Sequence, residues 1–294
     1  MNSRWMIAQG RTVLTAGAVL AVLLLAGGWL FSHPISVSAN QSVILLPAAM
    51  YHSVTDAGDS PAQYVISPSM LESDLQYLQA HGRETVTIHD LLAYVQDGAA
   101  LPEKPVLLTF DDGYYNNYKY AYPLLKQYGM RAVLSPVASL TERFSQTDEA
   151  EQEAWSYCTG RELREMADSS VFEIQNHSYD FHELKPRKGC LRMAGETAAA
   201  YRQCFLSDTR RAQDLFVSLG IEAPVCYTYP YGAVNAEAQA LTAVCGFSVT
   251  LSCEEGVTAL TRDTACLKGI RRNNRDGRWS SAQFWDALLA QTEG

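Results

Sequence analysis

The chain has 294 residues, 47% of them apolar and 19% charged, with 23 Lys and Arg against 32 Asp and Glu. That composition is globular and excludes a mainly disordered or collagen-like chain. A formal net charge of -9 gives no overall attraction for a phosphate backbone, which argues against nucleic acid as the main partner.

Residues 12–31 carry no charge, Arg4 and Arg11 precede them, and no acidic residue occurs before Asp56. Twenty apolar residues at about 1.5 Å rise span roughly 30 Å, the thickness of a bilayer core. Positive charge ahead of the run places the N-terminus inside and the remainder outside. The pattern predicts a short cytoplasmic tail (1–11), a transmembrane anchor or signal segment (12–31), a linker (32–41) and one exported domain (42–294). Cleavage near Ala39 would release that domain as a secreted protein. Seven cysteines follow, none spaced C-x-x-C, so a zinc ribbon or redox motif is not expected. Outside the cell some could pair, and their spacing fixes no connectivity.

In the exported part Val43 to Tyr51 reads as a buried strand ending at His52, with Pro47 as an expected break. Ser67-Pro68 starts a helix as N-cap and first residue, Leu71, Leu75 and Leu78 keep its apolar spacing, and Gly82 stops it. A short extended piece at 84–87 leads into a second helix, Ile88 to Asp97, closed by Gly98. Pro105 to Phe110 is a strand buried on both faces, running straight into Asp111-Asp112-Gly113. A Tyr-rich helical stretch follows, with a break expected at Pro123. Met130 to Leu134 is the next strand. Thr159-Gly160-Arg161-Glu162 is a capping box opening a helix to about Ala167. A strand at Val171 to Gln175 is followed at once by His177. A long helix spans Glu196 to Leu219. Val225 to Tyr229 is a strand, with Pro230-Tyr231-Gly232 after it. A helix at Asn235 to Cys245, a strand at Ser248 to Ser252 and a last helix at Ser281 to Ala290 complete the chain. Strands alternate with helices throughout, which predicts a mainly parallel sheet or barrel with its active site beyond the strand ends.

Three clusters lie at those ends: Asp111-Asp112, His177 with His182, and Tyr229 to Gly232. Two histidines and a carboxylate are the ligand set of a catalytic zinc site, which keeps positions open for water and substrate. Of two adjacent carboxylates, one can bind the cation while the other stays free as a base. Histidines five apart do not share a helix face, so both must come from a loop. Each cluster alone is more often a plain turn or a surface pair. Their order, each behind a strand, gives them chemical weight.

Thr109-Phe110-Asp111-Asp112-Gly113, His177-Ser178 with His182, and Tyr229-Pro230-Tyr231-Gly232 resemble the first three motifs of the polysaccharide deacetylases. These are the NodB-homology proteins of carbohydrate esterase family 4. The resemblance runs over about residues 42–275. The five-residue histidine spacing is similar to the branch acting on poly-N-acetylglucosamine. The resemblance implies a distorted (β/α) barrel and a hydrolase that removes N-acetyl groups from an extracellular or cell-wall polysaccharide. It implies one divalent ion, zinc foremost, on Asp112, His177 and His182. Asp111 would be the general base on water, and the Tyr231 N–H would hold the oxyanion. Tyr114, Tyr179 and Pro230 are candidate substrate contacts, with Tyr115 and Phe181 as further aromatics.

Two departures stand out. Thr228 occupies the place where many members carry an Arg that orients the base. No His follows His182, so the general acid is unassigned. Arg271 and Arg272 lie in the right region without an assigned role, and His52 reads as a satisfied barrel residue. A glycan-binding module without turnover and an O-acetyl esterase of the xylan type are the alternatives.

Overall fold

Pro47 divides the first apolar stretch into β1 (Ile44–Leu46) and β2 (Ala48–Tyr51). It has no N–H for a ladder, but its carbonyl accepts from Leu107 N at 3.0 Å. The computed structural model describes residues 43–58, 61–147 and 151–292. The expected tail, apolar segment, linker and Ala39 cleavage point all lie outside these residues. Among the described residues no helix is long and apolar enough to cross a membrane.

Further strands are β3 (Ser53–Val54), β4 (Val65–Ile66), β5 (Glu84–Val86), β6 (Pro105–Asp112), β7 (Ala132–Pro136), β8 (Phe172–Ile174), β9 (Cys226–Thr228), β10 (Val249–Leu251), β11 (Thr258–Leu260) and β12 (Asn273–Asn274). The helices are α1 (Pro68–Ala80), α2 (Ile88–Leu92), α3 (Tyr122–Gln127), α4 (Ala138–Phe144), α5 (Gly160–Asp168), α6 (Ala198–Ser218), α7 (Ala236–Val244) and α8 (Ser281–Leu289).

The central sheet runs β12-β2-β6-β7-β8, with β5 also on β6, and every pairing is parallel. Parallel bridges extend it at both ends. Asn176 pairs with Tyr227 of β9, β9 pairs with β10, and Leu251 of β10 pairs with Ile270, just ahead of β12. The strands therefore close into a ring with helices between them, the expected (β/α) barrel in distorted form. The β8–β9 seam is stitched by a side chain. Gln175 Oε1 accepts from Val225 N (3.0 Å) and Cys226 N (2.8 Å), where a ladder would otherwise run.

Local signals explain the helices. Ser67 Oγ caps Met70 N ahead of Pro68, and the Thr159–Glu162 capping box forms in both directions. Pro123 does not break its helix. A wide π turn at Asn117–Ala121 precedes it, so Pro123 falls in the first turn of α3, where no N–H is needed. The short helix α4 and the two-residue strands carry no periodicity long enough to read in sequence. All seven cysteines are free thiols, so of the alternatives left open above none is paired.

Alternation along β6 builds the floor of the site. Residues two apart share a face. Leu107 packs with Ala48, Val133, Cys226, Leu251 and Ile270 in one apolar cluster. Leu108 and Phe110, with Ala49, Tyr51 and Leu134, belong to another that includes the helices. Thr109 and Asp111 thus continue the Leu107 face upward. Toward the strand ends that face turns polar, with Ser135 Oγ 2.8 Å from Thr228 Oγ1 and Arg272 beside Thr109 at 3.2 Å.

Candidate active site

Strict alternation would send Asp112 toward the helices. Its φ of +70° breaks that pattern. Its carboxylate instead stands with two imidazoles: Asp112 Oδ1 lies 3.4 Å from His177 Nε2 and 3.0 Å from His182 Nε2. Ser178 (φ +74°) and Tyr231 (φ +57°) are also in the left-handed region, which non-glycine residues seldom adopt. Three unusual backbone positions therefore surround one point, as expected where function over-determines geometry.

The three groups fit a divalent cation. One ligand atom from each of Asp112, His177 and His182 lies within 4.8 Å of the others. Asp112 Oδ1 is buried and makes no hydrogen bond of good geometry within the protein. His177 Nδ1 donates to Thr228 O at 2.8 Å. In the neutral ring this leaves the Nε2 lone pair facing Asp112, the arrangement that orients metal-ligating histidines. Thr228 thus holds the His177 ring through its backbone carbonyl. Tyr231 lays its ring on His182, with centroids 4.6 Å apart, and donates its OH to His182 O at 3.2 Å. Burial alone would raise the Asp112 carboxyl. Imidazoles in the protonated, donating form outweigh that and bring it well below the ordinary range.

Asp111 has a different neighbour. Arg272 Nη1 and Nη2 reach its two oxygens at 2.7 and 2.9 Å, and both residues are buried. Arg272 is fixed in turn by Nε donating to Ser252 O at 2.9 Å. Burial pushes the Asp111 carboxyl up, but the adjacent guanidinium outweighs it and the net shift is downward. Asp111, the expected base, therefore has an arginine partner, supplied from beside the closing strand β12. One clue existed in sequence. Arg272 lies two residues after Ile270, on the face that points into the barrel, where a buried guanidinium requires a buried carboxylate.

His52 also departs from the sequence reading. It lies in the same cleft as the two aspartates, with Tyr64 edge-on to its ring at 4.8 Å. Its Nδ1 is buried without a hydrogen-bond partner, so it is not a satisfied barrel residue. Burial lowers its pKa, against the pull of Asp111 and Asp112.

The cleft has a volume of about 480 Å³, and its walls include Tyr64, Tyr114, Tyr231, Glu255 and Asn274. Tyr114 stacks on Tyr157 with centroids 4.8 Å apart. The other two substrate candidates are elsewhere. Tyr179 is buried, its OH bonded to Glu142 and its ring under the Arg211 guanidinium at 3.7 Å. Pro230 is buried too, and neither residue lines the cleft. Phe181 packs on Phe205 and is likewise absent from the cleft wall.

A sequence model of the family described as polysaccharide deacetylase matches residues 98–250. The chain is 27% identical over 227 residues to YxkH of Bacillus subtilis, a protein provisionally named as a polysaccharide deacetylase, covering 77% of this chain and 71% of that one. It is 25% identical over 246 residues to the poly-beta-1,6-N-acetyl-D-glucosamine N-deacetylase of Escherichia coli K12, covering 77% of this chain and 36% of that relative. The chain thus spans about a third of the E. coli protein's length. A de-N-acetylase structure from Aggregatibacter actinomycetemcomitans shares the fold, with a TM-score of 0.69 at 23% identity over 83% of this chain and 100% of that one. With more than half its length inside the family's pattern, the chain belongs to the polysaccharide deacetylases.

Proposed function

We propose that this enzyme hydrolyses the N-acetyl groups of an extracellular poly-β-1,6-N-acetylglucosamine-type polysaccharide, using one divalent ion, zinc foremost, held by Asp112, His177 and His182. The observation that carries the reading is the buried, unbonded Asp112 Oδ1 facing two imidazole nitrogens. The names of the E. coli relative and of similar proteins in Staphylococcus aureus support the substrate class. The uncharged segment at 12–31 supports an extracytoplasmic, membrane-anchored or secreted location.

When bound, the ion polarises the acetyl carbonyl and lowers the pKa of water. The chain's own residues do the remaining work. Asp111, kept ionised by Arg272, accepts a proton as water oxygen bonds to the carbonyl carbon. The Tyr231 N–H, in its left-handed turn, donates to the developing oxyanion, a contact typically worth a few kcal/mol. His52 gives a proton to the amide nitrogen as the C–N bond breaks, balanced by the proton Asp111 takes from water, leaving acetate and a free amine. It takes the role for which no later histidine exists. Tyr64 and Tyr114 offer ring faces to the sugar.

The test is acetate release from β-1,6- and β-1,4-linked N-acetylglucosamine oligomers, each with zinc and with a chelator. Chelator-sensitive release with preference for the β-1,6 series is expected. Release only from acetylated xylan would overturn the amide reading. His52→Gln should lower kcat by about 100-fold or more, the usual worth of a general acid, while zinc content stays unchanged.

A further inference from the structure

The segment carrying both imidazoles has no regular secondary structure from residue 178 to 183. Four consecutive N–H groups in it nevertheless go to side-chain oxygens. Ser178 N donates to Asn176 Oδ1 (2.7 Å), Tyr179 N to Asp208 Oδ1 (2.9 Å), Asp180 N to Asp208 Oδ2 (2.8 Å) and Phe181 N to Ser178 Oγ (3.0 Å). Asn176 and Ser178 are local. Of these acceptors only Asp208 comes from another element, the middle of helix α6, and it is 8% exposed; the carbonyls of Ser178 and Tyr179 are held separately by the amides of Ala138 and Ser139 at the start of α4.

Asp208 uses both carboxylate oxygens on two adjacent amides, at the midpoint between His177 and His182. It is not part of the ligand cluster. Two charges act on it besides: Asp180, which opposes it, and Arg211, which stands over the Tyr179 ring. A buried carboxylate satisfied by two backbone donors makes short, strong bonds and fixes the path of the chain that gives them. Burial pushes this carboxyl up to about 6, with the two amides opposing, so it is mainly ionised at neutral pH.

We propose that Asp208 is a positioning residue for the metal centre: its two-oxygen clamp on the Tyr179 and Asp180 amides sets the loop path that brings His177 and His182 to face Asp112. This rests on the metal reading of the site. It assigns a role to a helix residue that lies 26 or more positions from either histidine and touches neither. The clamp also explains how histidines five apart can act together without a shared helix face.

The test uses the full chain and zinc as the probe. In Asp208→Asn one acceptor becomes an NH₂ group opposed to a backbone N–H. Zinc affinity, measured by competition with a chromophoric chelator, should fall about 10- to 100-fold, the usual effect of disturbing a ligand's support. Thr197→Ala, which removes the cap of the same helix at Ala200 N, should lower thermal stability and leave zinc affinity and activity unchanged. Zinc affinity within about twofold of the parent in Asp208→Asn, with binding lost in His177→Ala, would overturn the clamp and leave the metal reading intact. Unchanged zinc binding in His177→Ala would overturn the metal reading itself. Amide exchange of the parent protein gives a second measure, independent of whether the variant folds. The Tyr179 and Asp180 amides should exchange far more slowly than exposed loop amides, and rapid exchange would refute the clamp.

Discussion

Asp111 meets a guanidinium, while Asp112, one residue on, meets two imidazoles and no permanent cation. In the proposed function the base half, Asp111, is paired within the chain, whereas the metal half, Asp112 with its two imidazoles, is the part a cation would complete. The difference teaches where each half draws its stability. A buried ion pair is costly to break by deleting one partner, whereas a cluster of ligands gains from whatever cation binds it.

Breaking the metal half should have the largest effect. Asp112→Ala is expected to abolish zinc retention and acetate release together, read by elemental analysis and by acetate assay on the same sample. Unchanged zinc content would refute the ligand assignment. Breaking the base half comes next. Arg272→Met leaves Asp111 buried without its partner, a loss of about 3–5 kcal/mol in urea unfolding at pH 7. Asp111 has a lowered folded-state pKa. Its stabilisation is thus complete above the ordinary value of about 4 and is lost as pH falls through the lower folded value. The stability gap between parent and variant should therefore shrink in acid. In the variant the Asp111 carboxyl rises, so the acid limb of kcat/KM should move to higher pH. An unmoved limb would remove Asp111 from the role of base.

Adding zinc to the metal-free parent sharpens the contrast without mutation. At a free concentration of 100 times Kd it should stabilise by about 2.7 kcal/mol, seen as a raised Tm, and this gain should vanish in His182→Ala but persist in Arg272→Met. The smallest effect lies away from both halves. Thr159→Ala removes the cap of α5 and should cost about 1 kcal/mol with kcat/KM unchanged.

Legibility in the sequence followed the range of each interaction. Ser67-Pro68 and the Thr159–Glu162 box were readable because cap and helix lie within four residues. Asp111, Asp112, His177 and His182 were readable because strand ends bring motif residues to one rim. Arg272 was readable only as a residue in the right region, since 161 positions separate it from Asp111 and its partner is set by how the barrel closes. His52 misled for a related reason. A histidine at the end of a strand reads as core until the cleft beside it is known. Tyr179 and Pro230 were placed on the substrate by proximity in sequence, yet the turns that carry them bury their side chains. The pairing of β8 with β9 escaped because a single bridge at Asn176 joins them, with a glutamine side chain taking the Val225 and Cys226 amides beside it.

The position of Arg272 bears on how the enzyme can be divided. The family pattern ends at residue 250, yet the group that neutralises Asp111 arrives 22 positions later, on the piece of chain that shuts the ring. A fragment trimmed to the recognisable motifs would carry Asp111, Asp112, His177 and His182, but would leave Asp111 without its buried partner and the barrel open along two edges. Gene segments encoding 98–250 are therefore not transferable modules. Grafting, truncation or insertion must keep the stretch from Ile44 to Asn274 whole, because the Asp111 pair and the ring of strands are completed only at Arg272 and β12.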